Sequence, residues 1–587
     1  MDRRIFLGSI AATALIVPII PVEVAAKKSK LNDSAGNPFD TLNMKANRSL
    51  IQSTLDPWNP NGSEWNVTTI GHLFRRAGFG ATLGKLQGTT PQLGDISYAL
   101  PKTPGQIVDE LLDDSLLQNS LGTNSDGTNP PPPAYSTDGS TPWLHSRPNL
   151  AGPTVQEMQL YSNAMLNIRG HWAKQMAAPA TMLRERMVLF WMNHFVVEEQ
   201  KVYYPQSMYN YINYFRRNAW GNFKQMVSDV TTTPAMLIYL DGQLNAGSSP
   251  NENYAREVQE LFTMGVYDKN GNFNYTQDDV EAVAHSLTGW TVDTTAQEPG
   301  VLPAKYNIAR HDSSFQKIYD GVPRQYNLTA ANVSMDKDVI DQMFEQRGDQ
   351  IAWNICSKLY QFFVYHQITT DAEKAIVQQL ADTFKNNNWS IKAVLSQLLK
   401  SQHFFDSVNI GASIKSPYDH ILPMVRQFDL TLDELSGSLL YYYTYSLGQN
   451  LFDPPNVKGW PGYHTWISTA TLPTRNAIST LLAISKSIPA LGTDGHGNNF
   501  PAITLDDTTL LSWAKQFSNY STDFDSMLAE MATFLCAQPL GPMALAYVKS
   551  QLPPNTYEWG TLTDQEKITA IRSMANNIML LAEYQLQ

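Results

Sequence analysis

Residues 251–266, NENYAREVQELFTMGV, and residues 275–290, YTQDDVEAVAHSLTGW, each carry a helix start and a helix stop. Together they constrain the fold more than any other stretch of the chain. Asn251 is placed to cap the first helix, because a short polar side chain there can bond the free amides of the first turn. Gly265 stands where a left-handed residue ends a helix. Thr276 with Asp279 three positions on is a variant of the capping box, and Gly289 closes the second helix. At a period of 3.6, Asn253, Glu257, Glu260 and Met264 share one face of the first helix. Tyr254, Val258, Leu261 and Phe262 supply its apolar surface. The polar face is expected to point inward. Polar groups are costly to bury without partners, so such a face implies either a network that locks the fold or a site. Arg256 and Glu260, four apart, would form a surface ion pair in the first case.

Helical periodicity recurs along the rest of the chain. It starts at Thr68 or Thr69 and stops at Gly78. It starts again at Thr103-Pro104, Pro being favoured in a first turn. Longer patterns span 154–177, 181–197, 207–219, 335–400 and 434–447, and helix resumes from Leu505. Breaks are expected near Gly348 and at 386–388. Residues 291–333 lack a strong helical period and are expected to hold a few short strands. There is no internal repeat and no alternation of strand and helix that would announce a parallel sheet. The expected fold is mainly α: one large multi-helix domain over 67–587, with long irregular loops. Before it lies an extended polar arm at 27–66, and within it a Pro-rich insertion at about 118–152.

The N-terminus is expected to be removed. Arg3 and Arg4 precede an apolar run to Ile20, and Val24-Ala25-Ala26 offers small residues for cleavage. This resembles a twin-arginine export signal over residues 1–26, which carries folded proteins out of the bacterial cytoplasm. The run is shorter than the roughly 20 residues needed to span a bilayer, and no other candidate span is present. The expected location is the periplasm or the cell exterior. The formal charge is -12 with no basic run, a poor footing for nucleic-acid binding. Cys356 and Cys536 are the only cysteines. Both lie in apolar helical contexts, and two inert core thiols are expected rather than a disulfide.

Chemistry-bearing residues outside the central helices are scattered. His194 and Glu198 are four apart, a spacing that suits two metal ligands if the helix continues. A histidine at a helix end also serves as a cap. Glu281 and His285 repeat that spacing. His311 and Asp312 in a loop could form an acid/base pair. The loop after Phe452 must be irregular, because Pro454, Pro455 and Pro461 cannot donate backbone bonds. Lys458, Trp460, Tyr463, His464 and Trp466 crowd into it, and aromatic faces both stack on sugars and fill cores. No hydrolase elbow, phosphate loop or dinucleotide motif is present.

These stretches resemble, in order, the blocks of a bacterial family called domain of unknown function 1800. HLFRRAGFGAT at 72–82 resembles its opening and RERMVLFWMNHF at 184–195 its second block. TPAMLIYLDGQLN at 233–245 leads into the central helices. His311-Asp312 with Lys317 follows, and FDPPNVKGWPGYHTWISTATLPTR at 452–475 resembles the last block. The resemblance covers most of the chain after about residue 67 and implies export but no particular activity. Many members have His where this chain has Met192, and some where it has Phe262. If those histidines bind a metal in their own proteins, this chain has lost part of the site, which weakens a metal reading and leaves metal and cofactor open.

The expected function is an exported enzyme acting on an envelope or extracellular polymer, such as a glycan. Glu257, Glu260, His194, His311 and Asp312 are the catalytic candidates. Asn253, Arg186, Lys458, Trp460 and Trp466 are the substrate-binding candidates. Glu257, Arg186, His194 and His311 are expected to meet at one polar centre. The alternatives are a non-enzymatic envelope-binding or assembly protein and a metal or redox protein.

Overall fold

The computed structural model describes residue 48 and residues 52–84, 90–115, 155–293, 302–326, 335–491, 499–521 and 523–587. The leader, most of the polar arm and the Pro-rich insertion lie outside these residues. Residues 51–587 form one unit.

The fold is mainly α. Its helices begin largely where short polar side chains precede apolar periods. Helix α1 (Val67–Arg76) is capped by Asn66. Past a short helix at Pro104–Leu111, capped by Thr103, come α2 (Val155–Ala177), α3 (Met182–His194), α4 (Pro205–Arg217) and α5 (Phe223–Thr231). The central pair is α6 (Glu252–Glu257), which runs into a π-helix at Val258–Phe262, and α7 (Gln277–Ser286). Asn251 caps α6, and Thr276 with Asp279 forms the capping box of α7. Then come α8 (Met335–Phe363), α9 (Asp371–Asn386) and α10 (Ile391–Lys400). Near Gly348 the helical pattern is kinked at Arg347 rather than broken. The chain continues with α11 (Pro417–Gln427), α12 (Glu434–Ser446), α13 (Thr471–Ala483), α14 (Phe524–Leu535) and α15 (Asp564–Met579).

Strands are few and short. Trp290–Val292 pairs antiparallel with Ala304–Tyr306, Phe315–Gln316 with Arg324–Gln325, and Ser487–Ile488 with Ile503–Thr504. A single apolar cluster runs through the helices and includes Trp172, Trp191, Phe223, Leu359, Ile421 and Met531. Cys356 and Cys536 are both free and buried within it.

Helices α2 and α12 cross at two glycines. A Cβ on Gly170 would lie 2.2 Å from the carbonyl oxygen of Glu434, and one on Gly437 would lie 2.5 Å from that of Gly170. The described part of the arm lies against the body. Leu55 and Trp65 are buried, and Trp58 stacks on Phe405 with ring centroids 4.5 Å apart.

Candidate functional site

The central segment turns a different face inward from the one its period predicts. Tyr254, Ala255, Val258, Gln259 and Phe262 are buried, Asn253 is exposed, and Glu257 and Glu260 are half-buried. The physical reason is the apolar period itself: residues 254, 255, 258, 259 and 262 fall at i, i+1, i+4, i+5 and i+8, one face of an ordinary helix, and that apolar face takes the core in preference to the carboxylates. The i to i+5 bonding of the π-helix begins only at Val258, after Asn253 and Glu257. Arg256 correspondingly pairs with Glu252, at 2.7 Å, and not with Glu260.

On its inner side the end of this helix is held by side chains from distant elements. Five successive carbonyls each receive a donor: the last two of the helix, which a helix end leaves without partners, and the three that follow it. Lys358 Nζ donates to Leu261 O at 2.6 Å, and His194 Nε2 to Phe262 O at 3.0 Å. Asn354 Nδ2 donates to Thr263 O at 2.6 Å. Asn274 Nδ2 reaches Met264 O at 2.8 Å and Gly265 O at 3.0 Å. Gly265 closes the turn with φ +78°. The Nδ1 atom of His194 faces Lys358 Nζ at 3.3 Å. With Nε2 donating, Nδ1 is the acceptor, so the ring is neutral. Burial, with the nearby Lys358 charge, pushes His194 well below the usual histidine range. Burial lowers Lys358 to about 8.

His194 is therefore sealed inside, with both ring nitrogens engaged in holding the π-helix. Helix α3 ends at His194, and Phe195 leaves the helical region with ψ 68°. His194 and Glu198 accordingly do not share a helix turn as metal ligands would.

The outer side is more open. Glu260 accepts a hydrogen bond from the Tyr275 hydroxyl at 3.2 Å and pairs with Lys458 Nζ at 3.5 Å. The Lys458 side chain is 68% exposed. The Glu257 carboxylate accepts no hydrogen bond from the described residues. Partial burial and the neighbouring Glu260 charge raise its pKa, against smaller opposing effects of Lys458 and Arg256. Burial and the charges of Glu198 and Glu257 raise the Tyr239 hydroxyl to about 12.

The loop that carries Lys458 is clipped to α3. Asn193 Oδ1 accepts from Trp460 N at 2.7 Å, and Asn193 Nδ2 donates to Trp460 O at 3.3 Å. Gly459 lets this happen: its φ is +76°, and a Cβ would fall 2.2 Å from Asn193 Oδ1. Trp460 and Trp466, expected to hold substrate, are both buried and pack in the core. The accessible ring systems of the loop are Tyr463 and His464. Tyr463 lies parallel to His366, with centroids 3.4 Å apart.

The four residues expected to meet belong to three separate networks. Glu257 and His194 flank the π-helix. Arg186 is buried and paired with Asp419. His311 bonds Thr288, its Nδ1 lying 3.0 Å from Thr288 O. The partner of Asp312 is His285, at 2.5 Å from Nδ1, and not the adjacent His311. Burial pushes Asp312 upward, but hydrogen bonds from Ser314 and His285 outweigh it and hold the carboxyl below its usual range. Asn253 donates to Asp241 at 3.2 Å on the surface, beside the Lys201–Asp241 ion pair.

Sequence reasoning missed Asn193, Tyr275 and Lys358 as members of these networks, and it set His285 beside Glu281 rather than Asp312. Asn193 and Tyr275 stood inside blocks already singled out. Lys358, in ICSKLYQFF, offered one signal, a lone cation within an apolar helical run. Among the described residues no group of three or more His, Cys, Asp or Glu side chains is placed to hold a metal ion.

The family model described as protein of unknown function (DUF1800) matches residues 72–586. The chain belongs to that family. The match takes in the second half of α1, both central helices, the Lys458 loop and α15, so every network of the candidate site lies inside the DUF1800 region. No curated protein and no solved structure matches the chain. No helix among the described residues is long and apolar enough to cross a membrane.

Proposed function

We propose that this protein is an exported enzyme that acts on an envelope or extracellular polymer, best a glycan, with Glu257 and Glu260 as its acid–base pair. The observation that carries this reading is the contrast between the two carboxyls. Glu260 is held by Tyr275 and Lys458, whereas Glu257 is half-buried, unbonded among the described residues and raised in pKa. Cleavage of a glycosidic bond needs one carboxyl that can deliver a proton to the leaving oxygen and a second that acts as base or nucleophile. A raised pKa suits the first role, because it keeps the proton available nearer neutral pH. Lys458 and His464, both exposed, with the half-buried Tyr463, supply polar and ring surfaces on the loop that carries the Glu260 partner. The leader, with its Arg3-Arg4 pair, supports export.

A second reading is a non-enzymatic envelope protein, and the run of five capped carbonyls favours it, since such a network also serves only to lock a fold. One experiment separates the two. Purified mature protein is incubated with isolated cell-wall glycan and with soluble polysaccharides, and new reducing ends are measured. Release by the wild type, lost in Glu257→Gln and Glu260→Gln, is expected. Binding without release would favour the second reading, and neither binding nor release would sink the glycan proposal.

A further inference from the structure

Far from the Glu257 centre in sequence, the interior holds an excess of positive charge. Arg75, Arg76, Arg186, Lys415 and Arg475 are each at most 4% exposed. Among the described residues the only carboxylate in ion-pair contact with any of them is Asp419, which takes Arg186. The other oxygen of Asp419 is occupied by Ser416 Oγ at 2.7 Å and Gln587 Nε2 at 3.1 Å.

Two of the remaining cations sit at helix ends, where carbonyl dipoles offset part of a positive charge. Arg76 donates to Phe362 O and Phe363 O at the end of α8. Arg75 donates through Nη2 to Phe534 O and Cys536 O at the end of α14. Lys415 and Arg475 have no such setting. Arg475 donates to Lys415 O at 2.9 Å and to Gln585 Oε1 at 3.4 Å. Lys415 Nζ stands over the Tyr584 ring, 3.6 Å from its centroid, and has no acceptor. Arg75 Nη1, Arg475 Nε, the Tyr584 hydroxyl and Gln585 Nε2 are likewise enclosed and unpartnered. Residues 414 and 586 pair across an antiparallel bridge, which brings the Lys415 strand beside Tyr584 and Gln585. His420 Nδ1 is an unfilled acceptor in the same region, but no described donor reaches it.

Buried donors are almost always satisfied, by protein, ordered water or an ion, and a concentration of unfilled ones calls for a specific partner. We propose that a halide-sized anion, chloride under ordinary conditions, is bound between Lys415, Arg75 and Arg475. An anion supplies the missing charge and accepts from several sides at once. A water molecule would fill two donors and leave the charge as it is. The donor atoms are closed off from solvent, so the occupant enters as the chain folds or through slow local opening. Burial and the neighbouring arginine charge lower Lys415 to about 7, and a bound anion would reverse that.

The test uses the full mature chain. Melting temperature is measured in sodium chloride, sodium bromide and sodium gluconate at equal ionic strength, and crystals grown in bromide are probed by anomalous scattering. The expected results are a saturable rise of a few degrees in either halide over gluconate, its loss in Lys415→Met, and a bromide peak within hydrogen-bond distance of Lys415 Nζ. The peak needs no variant to fold. Equal melting in all three salts, or a halide effect without a peak at Lys415, would overturn the proposal.

Discussion

Glu257 stands just before the π-helix and Lys358 caps its end, and the two make opposite predictions. Glu257 has a raised pKa, so its contribution to stability is complete below its unfolded value near 4.5 and is lost as pH rises through the folded value. At neutral pH the charged form is therefore a small burden on the fold. Glu257→Gln is expected to leave the melting temperature unchanged or to raise stability by less than about 1 kcal/mol, since the group is only half-buried. It should at the same time abolish any glycan cleavage. A clear fall in melting temperature would instead assign Glu257 to the locking network, where an amide in place of a buried acceptor costs about 1–3 kcal/mol. Lys358 is lowered to about 8 by burial, against 10.5 when exposed. Between those values the unfolded chain carries a proton that the folded chain lacks, so stability rises with pH across that window and is flat, with the benefit lost, below it. The limiting slope is about 1.4 kcal/mol per pH unit. Urea midpoints of wild type and Lys358→Met, measured from pH 7.5 to 10, should diverge in that sense. Parallel curves would show that Lys358 keeps its proton in the fold. At this scale little was legible in the sequence. His194 and Arg186 were recognisable as residues that matter, but whether a polar side chain caps a carbonyl or meets a substrate depends on partners hundreds of positions away.

Elements were legible where their signals are local. Asn251, Thr276, Thr103 and Asn66 cap helices at or within a residue or two of where short polar side chains precede apolar periods. The π-helix was not legible, because one extra residue per turn leaves no mark in composition. The expected face was reversed for another reason: Tyr254, Val258 and Phe262 take the core side, which leaves Asn253 outward and Glu257 and Glu260 half-open. The two tryptophans of the loop were read as substrate-binding candidates because aromatic faces stack on sugars, though they also fill cores. The Asn193 clip pulls that segment onto α3 and buries them. Gly459→Ala tests the clip. It combines a positive φ with a Cβ 2.2 Å from Asn193 Oδ1, whereas Gly462, also at φ +76°, would meet nothing closer than 3.8 Å. Gly462→Ala is expected to cost about 1 kcal/mol of backbone strain. Gly459→Ala should cost about 1–3 kcal/mol more from the clash, read in chemical denaturation. Equal effects would mean that the loop is not held by Asn193. Gly170→Ala makes the same point between helices. In an open helix alanine would gain roughly 1 kcal/mol over glycine, but here its Cβ meets the Glu434 backbone. The expected sign is a loss, because α2 and α12 would have to separate.

Across the whole molecule, α1 works as a tie between regions far apart in sequence. His72 reaches Phe404 O, Arg75 the end of α14 and Arg76 the end of α8. A surface helix would use these polar residues on solvent, and a sequence reading of HLFRRAGFG has no means of telling the two arrangements apart. Arg76→Met keeps much of the apolar stem and removes the fork that donates to Phe362 O and Phe363 O. Those carbonyls lie at a helix end, where no intrahelical donor remains. Leaving them buried and unfilled is expected to cost about 1–3 kcal/mol, less whatever is regained by no longer burying a guanidinium. The effect should not stay at the mutated helix. Hydrogen exchange should quicken both in residues 67–77 and in the last turns of α8, residues 356–364, which also carry Lys358. Amides of α15, which Arg76 does not touch, are the internal control. Faster exchange in α1 alone would mean that α8 is stable at its end without this cap. Equal acceleration everywhere would mean that the loss is one of global stability. Acceleration confined to the two segments would show that α1 holds α8 in place, and through Lys358 the π-helix that follows Glu257.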